Sequence, residues 1–288
     1  AAIEQTISLG ENSQKSGNEK GATAPPMPDS NQEVVTHSFL MQQVDDAQKK
    51  GDWIVAKTLL GAAVQMRQQG SNQPPNPYLL QRLALITYKS KYPSEGEALH
   101  EARQLLLTLS PETSNDTETL GLWGAIHKRL WQLTKQKEHL NEAIRAYERG
   151  FYLRNDYYNG INFAFLLNER AGVLPDPAWA IADYMQARRV RAEVLAICEK
   201  WLAENPEPQA SNSNDPAMKE YLNSRYWVEA TAGEAHIGLG EEAKGSAVLE
   251  QAYKKAPEKW MQESTETQIA KLQPMLADSP LRFIATDK

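Results

Sequence analysis

The side chains in this sequence that could carry chemistry are few and widely separated. Five histidines, His37, His100, His127, His139 and His236, are scattered over 288 residues. No H-E-x-x-H pair, glycine-rich phosphate loop, G-x-S-x-G elbow or paired-cysteine motif accompanies them. His127 and His139 fall on successive helices of one hairpin, and Glu142, one turn after His139, is the further ligand at workable spacing. With that carboxylate alone to complete a site, hydrogen-bonding histidines are expected rather than a metal centre. Cys198 is the single cysteine and sits mid-helix between Ile197 and Glu199. No adjacent histidine can take its proton, which predicts a buried structural thiol rather than a nucleophile. It also excludes an intramolecular disulfide and a cysteine zinc cluster. The expectation is a chain without catalysis, metal or cofactor.

A second set of polar groups suits binding. Lys128, Tyr157, Tyr158 and Asn162 fall around a junction between helices, where lysine and amide groups could receive an acidic peptide or a phosphate. The competing role is structural, with Asn162 hydrogen-bonded to Lys128 or to backbone groups. Arg188, Arg189 and Arg191, with Arg170, make a basic strip in a chain of net charge −6. Such a strip is either a solvated helix face or a surface for an acidic partner segment. Trp227, beside Arg225 and Tyr226, is the expected exposed anchor among tryptophans that otherwise suit core positions. The acidic balance argues against nucleic acid as the main partner.

These groups must be positioned by helices. In AQKKGDWIVAKTLLGAAVQM, Gly51 leads by five positions to Ala56 and by seven more to Ala63. In GLGEEAKGSAVLEQAYKKAP, Gly240 leads at the same spacing to Gly245 and Ala252. A glycine that ends one helix, followed by small residues a heptad apart on the next, marks packed helical hairpins. A third such unit places Ala143, Tyr147 and Gly150 on its second helix. Sustained period-two alternation is lacking, so strands are not expected. The reading is all-α: a helical-hairpin solenoid of about eleven helices over residues 33–278, a linker or processed N-terminus over 1–32, and a tail over 279–288. The linker is expected to be disordered, since SLGENSQKSGNEKGATAPPMPDSNQ holds almost no large apolar residues. A lost upstream effector domain or a cleaved signal peptide would each account for it. Asn205–Pro216 reads as a polar loop, and the last helix, about Glu258–Ala277, as a cap on the open end of the stack.

Three segments go beyond the generic pattern: GLWGAIHKRLW at 121–131, AIRAYERGFYLRNDYYNGINFAFLL at 143–167 and KWMQESTETQIAKL at 259–272. In order and spacing they resemble the TRAF-binding, tetratricopeptide-like domain of the apoptosis-signal-regulating kinase kinase kinases and its bacterial relatives. Gly124, Ile126 and Lys128 match one family segment, Ala143, Tyr147, Gly150 and Phe151 a second, and Gly160, Ile161 and Asn162 a third. The likeness covers about Thr117–Leu272 well and the first two hairpins only generically. Phe163-Ala164-Phe165 stands where the family more often has small residues, and no kinase segment is present.

The resemblance implies a cytoplasmic regulatory module that binds a protein or peptide, coupled to an attached or associated effector of a stress or defence system. An exported mature protein remains the other compartment. Against the noncatalytic scaffold stands a second class, a sensor in which Lys128, Tyr158, Asn162 and the arginine strip bind a nucleotide-like anion. A peptide groove should be long and open, whereas a sensor pocket should be closed and should gather these groups around one ligand.

Overall fold

The start and stop chemistry of the helices is visible at their ends. The computed structural model describes residues 30–68, 76–208 and 215–283, and every regular element among them is helical. In chain order these are α1 (Ser30–Lys49), α2 (Trp53–Gln68), α3 (Pro77–Ser90), α4 (Glu95–Leu107), α5 (Thr117–Thr134), α6 (Lys137–Arg154), α7 (Tyr157–Val173), α8 (Pro177–Glu204), α9 (Pro216–Gly238), α10 (Glu242–Lys254) and α11 (Lys259–Ala277). A 3-10 turn at Pro280–Phe283 follows. Asn76, Asp176 and Asp215 each cap a helix that opens with proline, whose missing N–H costs nothing in the first turn. Ser94 accepts from Glu97 N at 3.2 Å and donates to the Glu97 carboxylate at 2.7 Å, an N-cap in which the serine satisfies one open donor of the first turn. Gly51 and Gly240 sit at φ of 74° and 86° in the turns before α2 and α10, as their place in the repeat predicts.

Each helix from α1 to α10 packs chiefly on its chain neighbours, α5 on α6 and α7 on α8 most extensively. The small residues of the repeat lie at these seams: Ala56, Ala63 and Ala252 are fully buried. A Cβ at Gly245 would stand 2.5 Å from Ile237, so α9 and α10 approach to a distance that only glycine permits. Apolar side chains from α5 to α11 join in the largest core cluster, with smaller clusters beneath the first two hairpins.

The last helix departs from the expected end cap. α11 touches α3, α5, α7 and α9, every second helix, and so lies along the face of the stack that these helices share. Met261, Ile269 and Leu272 enter the main core, and the Thr265 and Tyr226 hydroxyls meet at 2.9 Å. At its start, Trp260 packs on Trp227 with ring centroids 5.9 Å apart, while the Lys89 ammonium lies 5.7 Å from the Trp260 ring. At its end Leu276 and Leu281 pack beside Ala171, Ala180 and Tyr184. The reason is the stripe Met261, Thr265, Ile269, Leu272, which needs an apolar surface along most of the helix and finds it on the inner face.

One boundary also differs. The helical region begins at Ser30, three residues inside the expected linker, whose remainder lies outside the described residues. The loop after α8 is described only at 205–208 and 215, and the tail only to Phe283. No helix among the described residues is long and apolar enough to cross a membrane.

Candidate ligand-binding cavity

Where α11 crosses the inner face it leaves a cavity of about 440 Å³, walled by α5, α6, α7, α9 and α11 itself. Lys128 from α5 is part of its lining. Its ammonium donates to Asn162 Oδ1 at 2.9 Å and to Gln268 Oε1 at 3.2 Å, and lies 4.5 Å from the Phe165 ring centre. Asn162 in turn donates to the Tyr158 carbonyl at 2.9 Å, which fixes the amide so that its oxygen faces the lysine. Gln268 donates onward to Glu234 Oε1 at 3.5 Å. One polar chain thus links α7, α5, α11 and α9.

Burial sets the electrostatics. It brings the Lys128 pKa down to about 8, with Glu234 and Glu169 opposing the fall. Burial raises Glu234 above the usual carboxylate range, with Arg191 and Lys128 opposing. Arg129 adds a second cation, its guanidinium 4.7 Å from the Tyr88 ring centre and donating to the Ala125 carbonyl at 3.0 Å. Tyr147 and Tyr158 approach hydroxyl to hydroxyl at 3.4 Å, and burial raises both phenols. Lys271 and Glu263 from α11 complete the charged lining, and Tyr157, Trp227 and Trp260 present aromatic walls. Cations, amides and aromatic faces around one partly open cavity can hold an anion attached to a planar ring.

Of the eight residues singled out in the sequence, Lys128, Tyr157, Tyr158, Asn162 and Trp227 line this cavity. Trp227 is half-buried, not the exposed anchor expected of it; the exposed tryptophans are Trp179 at 66% and Trp260 at 45%. The arginine strip does not form. Arg189 is exposed, Arg188 is half-buried, Arg170 is engaged by both carboxylate oxygens of Asp183 at 2.7 and 2.8 Å, and Arg191 is fully buried between α8 and α9. The warning was in the spacing, because Arg191 falls on the buried stripe with Ala187, Val194 and Cys198. Sequence reasoning also missed Arg129, Glu234, Gln268 and Lys271. Glu234 had a signal, as one acid within the small-residue run Ala230–Ala235 of α9.

The two histidines meet, Nδ1 to Nδ1 at 3.1 Å, with His127 buried and brought down to about 3 by burial first and then by His139 and Arg103. Glu142 is drawn to Arg145 at 2.6 Å, and no cluster of three or more metal-ligating side chains occurs among the described residues. Cys198 is fully buried.

A family model described as Tetratricopeptide Repeats-Sensor matches residues 52–167, from the start of α2 to Leu167 in α7. The solved structure of TTC0263, a thermophilic TPR protein of Thermus thermophilus, superposes with a TM-score of 0.51 at 12% identity, covering 81% of this chain and 99% of that one. The fold is tetratricopeptide-like. Two further structures are similar more loosely: the MamA protein, with a TM-score of 0.43 at 12% identity, covers 77% of this chain and 92% of its own. A tetratricopeptide repeat protein from Parabacteroides merdae ATCC 43184 gives 0.39 at 16% identity, covering 86% and 91%. No curated protein sequence matches the chain. The family match takes in the early tetratricopeptide-like hairpins, which the sequence tied only generically to the TRAF-binding resemblance, and stops short of α8–α11.

Proposed function

We propose that this chain is a noncatalytic sensor of a small, nucleotide-like anion, bound in the cavity between the inner helices and α11. The observation that carries the reading is the course of α11. A peptide-binding solenoid needs a long open groove, and here the chain's own last helix lies along the face that would supply one. What remains is a partly open cavity whose lining gathers Lys128, Asn162 and Tyr158, and adds Arg129 and Lys271. The description of the matching family model as a sensor is in keeping with this.

Occupancy would be reported through α11, because the ligand touches both α11 and the stack against which it packs. The output would pass to a protein partner or an attached effector engaging the outer surfaces, as the TRAF-binding resemblance suggests. Titration calorimetry and thermal shift with AMP, ATP, pyrophosphate and orthophosphate test the reading. Saturable binding to the wild-type chain, lost in a folded Lys128→Met variant, is the expected result. Failure of every anion to bind, together with capture of an acidic peptide on the same face, would return the open-scaffold reading.

A further inference from the structure

Glu234 differs from every other group in the cavity. It is 6% exposed and its recorded hydrogen bond is the one from Gln268 at 3.5 Å, the outer limit for such a bond. A carboxylate offers about four acceptor positions, so most of those on Glu234 are unfilled. Its charge is felt by Arg191, 0% exposed, whose three guanidinium nitrogens all lack a hydrogen-bond partner. Arginine keeps its proton even when buried, so this guanidinium needs a counter-charge, and Glu234 is its foremost charged neighbour. The absence of a side chain at Gly238 leaves the room it occupies. The charge of Lys128, in the same cavity lining, also acts on the carboxylate. A buried carboxylate between two cations holds packing together no better than apolar side chains of equal volume would. What it supplies to the cavity is an acceptor that a bare anion cannot use.

We propose that Glu234 accepts hydrogen bonds from a donor group of the ligand, so that the ligand carries a hydroxyl pair or an amino group beside its anionic group. The proposal rests on the sensor reading and adds polarity to it: cations and amides receive the anion, and the Glu234 edge of the cavity receives a donor. Arg191 supplies a buried positive charge that opposes protonation of the carboxylate.

Calorimetry with four probes tests it: AMP, 2′,3′-dideoxy-AMP, which lacks the hydroxyl pair, IMP, which lacks the amino group, and orthophosphate. In the wild-type chain one of the two analogues should bind at least about tenfold more weakly than AMP, and orthophosphate more weakly still. Glu234→Gln should bring AMP and that analogue to within about twofold of each other. Glu234→Asp, which keeps the counter-charge to Arg191 but withdraws the carboxylate by one carbon, should weaken AMP and shrink the difference; it serves if the glutamine variant does not fold. AMP binding matched by both analogues, or discrimination that survives in the folded variants, overturns the acceptor role and leaves the sensor reading standing. Binding by none of the four, nor by ATP or pyrophosphate, overturns both.

Discussion

Lys128 on α5 and Gln268 on α11 lie 140 positions apart in the chain and share a hydrogen bond of 3.2 Å. That contact exists because the last helix turns back along the inner face, and it converts a groove into a cavity. The helix is held there by Met261, Ile269 and Leu272. Leu272→Ala should therefore destabilise the chain by about 2–5 kcal/mol, as a large-to-small change in a filled core does. Gln268→Ala should cost only about 0.5–1.5 kcal/mol while weakening anion binding. Chemical denaturation of the two variants measures the contrast, and equal losses would contradict the division between packing and site.

Glycines of the repeat separate into those that a neighbour needs and those it does not. A Cβ at Gly160 would stand 2.5 Å from Val194 and 2.8 Å from Phe151, whereas none of the surrounding atoms lies within 4 Å of one at Gly61. Gly160→Ala should lower stability by about 1–3 kcal/mol through overpacking. Gly61→Ala, in the interior of α2, should raise it by up to about 1 kcal/mol through helix propensity. Melting temperatures that move in the same direction would show that the seam at Gly160 is looser than its geometry.

Stability should pass through a maximum in mildly acidic solution. Burial, with Asp116 adding, holds the Glu118 carboxyl up at about 8, so its contribution is complete below the unfolded value of 4.5 and lost as pH rises through 8. Burial holds His127 down at about 3, so the folded chain loses stability as pH falls below 6.5 toward that value. Glu118→Gln should gain about 1–2 kcal/mol over wild type at pH 9, an amount reduced by its partial exposure. His127→Gln should gain about 2–3 kcal/mol relative to wild type between neutral pH and pH 4. Urea titrations at pH 4, 6 and 9 decide this.

Anion binding should take up a proton in alkaline solution. The Lys128 ammonium, brought down to about 8 by burial, is partly neutral above that pH, and an anion beside it favours the charged form. Calorimetry at pH 8.5 in buffers of different ionisation enthalpy should report an uptake of up to about three quarters of a proton per site for AMP. The uptake should vanish in Lys128→Met, and an equal uptake there would assign it to another group.

Cys198 should resist thiol reagents. It is fully buried, and burial pushes its thiol up to about 12. Labelling by an aromatic disulfide should occur at the rate of global unfolding in native buffer and at once in denaturant. Prompt labelling of the native chain would mean that α8 opens locally.

Much of the architecture could be read from residue order because it depends on near neighbours. Gly51, Ala56 and Ala63 announce a turn and a seam that form between consecutive helices, and Asp52 caps α2 by accepting from Val55 N at 3.2 Å. The Lys128–Asn162 pair was legible for the same reason, since α5 and α7 belong to successive hairpins of a repeating stack. Arg191 was misread, although its place among Ala187, Val194 and Cys198 marks a buried face, because its charge suggested solvent.

What the sequence by itself determined is therefore the local and repeating part: helices, caps, hairpin turns and small-residue seams, each specified by side chains a few positions apart. The course of α11 belongs to the tertiary structure alone. Met261, Thr265, Ile269 and Leu272 state that one face must be buried, but an apolar stripe carries no address, and the end of the stack and its inner face would both have satisfied it. Only packing across α3, α5, α7 and α9 selects between them, and with that choice come the cavity, the depressed Lys128 and the flanked carboxylate of Glu234.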